Sequence, residues 1–142
     1  MLRDAIIPLA RARWEGYVLP FHYISHSYYE VEIVREADDF RVSFVKKPLA
    51  EPFELKPDGS DKLFQPHWEE VMAWGVTEGG RLVTAIETAV EKWSNRLRVT
   101  WLWIDDAFRR QGLGTALMDI AVQRARDEMV CYPQIGQRKR KC

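Results

Sequence analysis

The run Trp103-Ile104-Asp105-Asp106-Ala107-Phe108-Arg109-Arg110-Gln111-Gly112-Leu113-Gly114-Thr115-Ala116-Leu117 constrains this chain more than any other. It reads as an apolar strand, a basic turn with two glycines, and the start of a helix. Glycine has no Cβ, so at Gly112 and Gly114 the backbone can turn sharply and bring its N–H groups against a ligand. The helix that follows supplies further unpaired N–H groups and the positive end of its dipole. Arg109 and Arg110 place fixed charge at the same point. Together these features suit a pyrophosphate. A dinucleotide fingerprint would need a third glycine where Leu117 stands, and a phosphate loop of the Walker type needs Gly-Lys followed by Ser or Thr, which the chain lacks. Both are excluded.

The segments before this loop alternate as strands do. Tyr28–Val34 and Phe40–Val45 flank Ala37-Asp38-Asp39 and predict a β-hairpin. Four prolines and the turn Pro57-Asp58-Gly59-Ser60 predict a long surface connection from Lys46 to Pro66 with one helical turn at most. A meander then follows, with strands over 71–77, 81–93 and 96–104. Two-residue turns at Gly79-Gly80 and Ser94-Asn95 would set Val76 opposite Val83, Met72 opposite Glu87, Glu91 opposite Arg98 and Glu87 opposite Leu102. After the loop, Leu113, Ala116, Leu117, Ile120, Ala121 and Ala125 recur at helical spacing and predict an amphipathic helix on the sheet. Met1 to Ser27 shows no sustained period.

A chain of 142 residues fits one domain. Its 21 basic and 21 acidic residues cancel, so nothing marks it for nucleic acid or an anionic membrane. No apolar run approaches the ~20 residues of a membrane span, and no signal-type N-terminus is evident, which predicts a soluble, cytoplasmic protein. Cys131 and Cys142 have no partners in the body of the chain, and His22, His26 and His67 lack metal-ligand spacing, so no metal is expected.

Arg109-x-x-Gly112-x-Gly114 after an apolar strand resembles the acetyl-CoA pyrophosphate loop of the GNAT superfamily of N-acetyltransferases. The order strand, strand, strand, glycine loop, helix over Glu69–Glu128 is also similar to the centre of that fold, and 87–104 resembles the streptothricin-acetyltransferase branch. The resemblance implies an α/β (α+β) fold with a mixed, mostly antiparallel sheet and flanking helices. It divides residues 1–142, taken as one domain, into an acceptor-side part (1–68), an acetyl-CoA-binding core (69–129) and a tail (130–142). It implies acetyl-CoA as cosubstrate and a primary amine of a small molecule or peptide as acceptor. Pantetheine would lie along Leu102, Trp103 and Ile104, and the pyrophosphate on Arg109, Arg110, Gln111, Gly112, Leu113, Gly114 and Thr115. A strand glutamate would serve as base, with Glu87 the first candidate and Glu91 the second, since a cross-strand pair with Arg98 would neutralise Glu91. The acidic residues Asp38, Asp39, Glu51, Glu54, Asp58 and Asp61 would favour a cationic acceptor.

In that family a fifth strand, a helix carrying a tyrosine acid and a final hairpin follow. Here Val130-Cys131-Tyr132 is at most a stub of that strand, and a basic tail replaces the rest. An apolar edge left beside the fourth strand seeks a partner, which predicts a homo-oligomer through that edge. The alternative to an enzyme is a shortened relative that only binds CoA or a protein partner.

Overall fold

The computed structural model describes residues 1–128. A 3₁₀ turn (Leu2–Ala5), β1 (Ile7–Leu9) and the single-turn α1 (Arg11–Trp14) come first. They are followed by β2 (Tyr23–Glu36), β3 (Asp39–Leu55), β4 (Met72–Glu78), β5 (Arg81–Glu91), β6 (Arg96–Ile104), a second 3₁₀ turn (Asp106–Phe108) and α2 (Leu113–Glu128). Two compact units result: residues 1–19 with the chain from Lys62 onward, and residues 20–61.

In the first unit an antiparallel sheet runs in the order β1-β4-β5-β6. β5 is its centre, with every residue from Leu82 to Val90 buried. On one face Ile86 packs on Leu117 and Ala121 of α2, with Trp74 and Val99 beside them. On the other face Glu87 accepts from Phe64 N–H, and Trp14, Leu19 and Leu63 of the same cover are buried as well. That cover is laced by the bridge between Val18 and Lys62 and by Leu63 N–H donating to the Tyr17 carbonyl at 3.0 Å. Strand periodicity and two-sided burial together explain why 82–90 is an almost unbroken run of apolar and small residues.

The register differs from the expected one for identifiable reasons. Gly79 and Gly80 do form a two-residue turn with φ of +58° and +77°. One extra residue, Val83, then bulges from β5, so Val76 faces Thr84 rather than Val83, and Met72 faces Thr88 rather than Glu87. The bulge turns Val83 toward Val76 and Leu113 under the helix. At the next turn only Asn95 adopts a left-handed conformation (φ +50°), so a two-residue turn cannot close there. The strands instead join through Lys92–Asn95, with Glu91 opposite Arg96. That longer turn alone would set Glu87 opposite Thr100; Thr100 bulges from β6, and the two shifts together leave Glu87 opposite Trp101 instead of Leu102.

In the second unit β2 and β3 pair end to end through a two-residue turn between Glu36 and Asp39, with one interruption at Ser25–Ser27. The expected surface connection from Lys46 is a correction: Lys46–Leu55 is strand. Pro48 sits at the irregularity opposite Ser25–Ser27 and Pro52 lies within it, positions where a missing N–H costs the ladder little. Farther on, Leu63 and Phe64 are buried rather than on a surface loop. The segment 129–142, with its strand stub and basic tail, lies outside the described residues.

Candidate functional site

β6 delivers the chain to the glycine turn. Asp105 N–H donates to the Val83 carbonyl at 2.9 Å. By the alternation of an antiparallel ladder, Trp103 also directs its backbone at β5, while Leu102 and Ile104 direct theirs at the open edge. Of the three positions expected to meet pantetheine, Leu102 and Ile104 turn backbone groups to that edge, Ile104 chiefly its N–H, while Trp103 is turned to β5 and its side chain is buried. The Ile104 carbonyl accepts from Arg109 Nε at 3.2 Å.

The turn after the strand is held by its own acids. Asp105 accepts from Ala107 N–H at 3.0 Å and pairs with Arg81, and Asp106 pairs with Arg109 at 2.9 Å. Arg109 is therefore partnered within the turn by an exposed ion pair, which is weak and can yield to a ligand. Arg110 (φ +62°) and Gly112 (φ +79°) flank Gln111 in left-handed conformations, an alternation that turns successive N–H groups to one side. Among the described residues, none of the N–H groups of 110–115 donates a hydrogen bond; the first helical bond is Ala116 N–H to the Gly112 carbonyl at 3.1 Å. Gly114 lets this turn sit close to β6, because a Cβ there would lie 3.3 Å from Ile104 Cδ1. A row of orphaned donors at a helix start, with Arg110 beside it, fits a diphosphate.

The two candidate glutamates differ in kind. Glu87 is not on a rim. It is fully buried, with Oε2 accepting from Phe64 N–H at 2.7 Å and Oε1 from Thr100 Oγ1 at 2.7 Å. It thereby fixes Phe64, held at φ +55°, and the bulge of β6. Glu91 pairs with Arg98 at 2.9 Å, although Arg98 stands opposite Ala89. The hydrogen bond from Arg98 holds the Glu91 carboxyl below the usual carboxylate range, with a further bond from Ser94 acting the same way.

A model of the Acetyltransferase (GNAT) family matches residues 37–135, well over half of the chain. The chain belongs to the GNAT acetyltransferase family. No curated protein sequence matches it. Among solved structures, it is similar to a protein described as a streptothricin acetyltransferase of Bacillus anthracis str. Ames, crystallised with acetyl coenzyme A (TM-score 0.57, 14% identity, 86% of this chain and 68% of that one). It is also similar to nourseothricin acetyltransferase (TM-score 0.55, 18% identity, 87% and 68%).

Two features of this GNAT acetyltransferase have no counterpart in the sequence reading. Arg124 of α2 is buried and donates to Thr88 Oγ1 at 2.7 Å and to the Glu70 carbonyl at 2.7 Å. It occupies a position where the helical period of Leu113, Leu117 and Ala121 calls for an apolar residue, and that misfit was its available signal. Arg3 lies against Gly112, so that a Cβ added at Gly112 would run into its guanidinium, whose Cζ is 2.8 Å away. No local pattern in 1–27 foretells this meeting.

Proposed function

We propose that this GNAT acetyltransferase transfers the acetyl group of acetyl-CoA to a primary amine of a small molecule or peptide. The unpaired N–H groups of 110–115, set directly after the open end of β6, carry this reading. They and Arg110 would hold the pyrophosphate, while the Leu102 and Ile104 backbones would hold the pantetheine arm as an added strand. Bound there, acetyl-CoA supplies a thioester carbonyl, on which the amine would form a C–N bond as the C–S bond breaks, the nitrogen giving up one proton and the leaving thiolate taking one up. Glu87 would act by fixing the Thr100 bulge and with it the course of β6. Its two oxygens are already committed, and the Arg98 pairing makes Glu91 a weak base.

Calorimetric titration with acetyl-CoA, followed by a thiol-release assay against a panel of amines, tests the proposal. We expect micromolar affinity, about −8 kcal/mol, in the unaltered chain. Gly112→Val should weaken binding at least about 100-fold, since a β-branched residue cannot hold φ +79° without strain and meets Arg3. Equal affinities would remove the loop from the reading. The commitment of both glutamates favours a second reading, a CoA-binding module without turnover, and binding without thiol release would select it. We further infer self-association through the β6 edge near Arg96–Val99, which leaves Leu102 and Ile104 to the cosubstrate; sedimentation as a monomer at high concentration counts against it.

A further inference from the structure

We propose that Arg3 is a phosphate ligand of the acetyl-CoA site, reaching the glycine turn from the N-terminal end of the chain. Leu2 and Ile6 pack against the cluster of Val76, Val83 and Leu113, which anchors the first 3₁₀ turn beside the start of α2. Between these two anchors Arg3 extends over Gly112. Arg3 has no carboxylate partner among the described residues, unlike Arg109, which is paired with Asp106, and Arg81, which is paired with Asp105. A guanidinium has only donors to offer. Here it stands over a turn whose N–H groups are donors too, at the positive end of a 16-residue helix. Arg3 is exposed to solvent, so an anion that reaches the turn can take donors from the N–H row and from the guanidinium together. A diphosphate supplies that anion, with oxygens enough for the N–H row on one side and the planar guanidinium fork on the other. The same contact gives Gly112 a second reason to lack a side chain.

This inference rests on the acetyl-CoA reading of the loop, and the experiment separates the two. Arg3→Ala and Arg3→Lys are compared with the unaltered chain for affinity to acetyl-CoA and to S-acetylpantetheine, which carries no phosphate, with melting temperature recorded for each. The expected result is about tenfold weaker acetyl-CoA binding in Arg3→Ala, a smaller loss in Arg3→Lys, and a difference that shrinks as salt rises. Affinity for S-acetylpantetheine and the melting temperature should not change. Arg3→Ala within twofold of the unaltered chain, while Gly112→Val still abolishes binding, would overturn the role of Arg3 and leave the loop standing. An equal loss toward both donors would make Arg3 a structural residue and also overturn it. Failure of the unaltered chain to bind acetyl-CoA would overturn both readings.

Discussion

β5 and the β2–β3 hairpin are built from the same antiparallel ladder, yet they stand at opposite extremes of burial. From Leu82 to Val90 every residue of β5 is buried, whereas no residue of β2 or β3 is. Val31, Ile33, Val34, Phe40 and Phe44 of the hairpin are all more than half exposed. Alternating apolar residues therefore specify a strand without specifying what covers it. A two-stranded ribbon draws little stability from burial, while the central strand of a covered sheet draws most of it.

Hydrogen exchange puts the largest strain on this contrast. Amides of β5 should exchange only through global opening and those of the hairpin through local opening, a difference of at least about 1,000-fold. Comparable protection would mean that the hairpin is covered in solution. Truncation sharpens it next. Leu117→Ala opens a cavity over Ile86 and should cost about 2–5 kcal/mol in urea unfolding. Ile33→Ala, at a residue 57% exposed, should stay within about 0.5 kcal/mol. The smallest effect contrasts one ion pair from each region. Glu91 is held below its usual range by Arg98, so that pair stabilises above about pH 4.3 and is lost as pH falls through the lowered value. Lys47 is raised by its hydrogen bond with Glu30, so that pair stabilises below about pH 10.4 and is lost as pH climbs through the raised value. NMR titration should show Glu91 returning to the ordinary range in Arg98→Met, and Lys47 in Glu30→Gln.

The same contrast explains what could be read from the sequence. The glycine turn, α2, the meander and the hairpin turn are local patterns, and each formed where residue spacing placed it. Registers were lost at the Val83 bulge and at the Lys92–Asn95 turn, with the Thr100 bulge restoring one residue of the second shift, because bulges and turn closure are decided by packing and backbone conformation rather than by a strand's own alternation. Lys46–Leu55 was masked by prolines that a two-stranded ribbon tolerates. The burial of Glu87 depends on Phe64, 23 residues away, and the place of Arg3 depends on Gly112, so both are tertiary facts with no local signature.

Arg124 turns α2 into a lever. Its buried guanidinium holds the Thr88 carbonyl and hydroxyl and the Glu70 carbonyl at once, which ties the C-terminal part of the helix to the sheet. Eleven residues of helix separate it from Leu113, about 16 Å at 1.5 Å per residue. Rocking that rod by about 5° at the clamped end would carry the glycine turn through about 1.4 Å, and misplacements of about 1 Å can cost roughly 100-fold in rate. If the glycine turn holds the pyrophosphate as proposed, its aim is set by Arg124 at the far end of the helix.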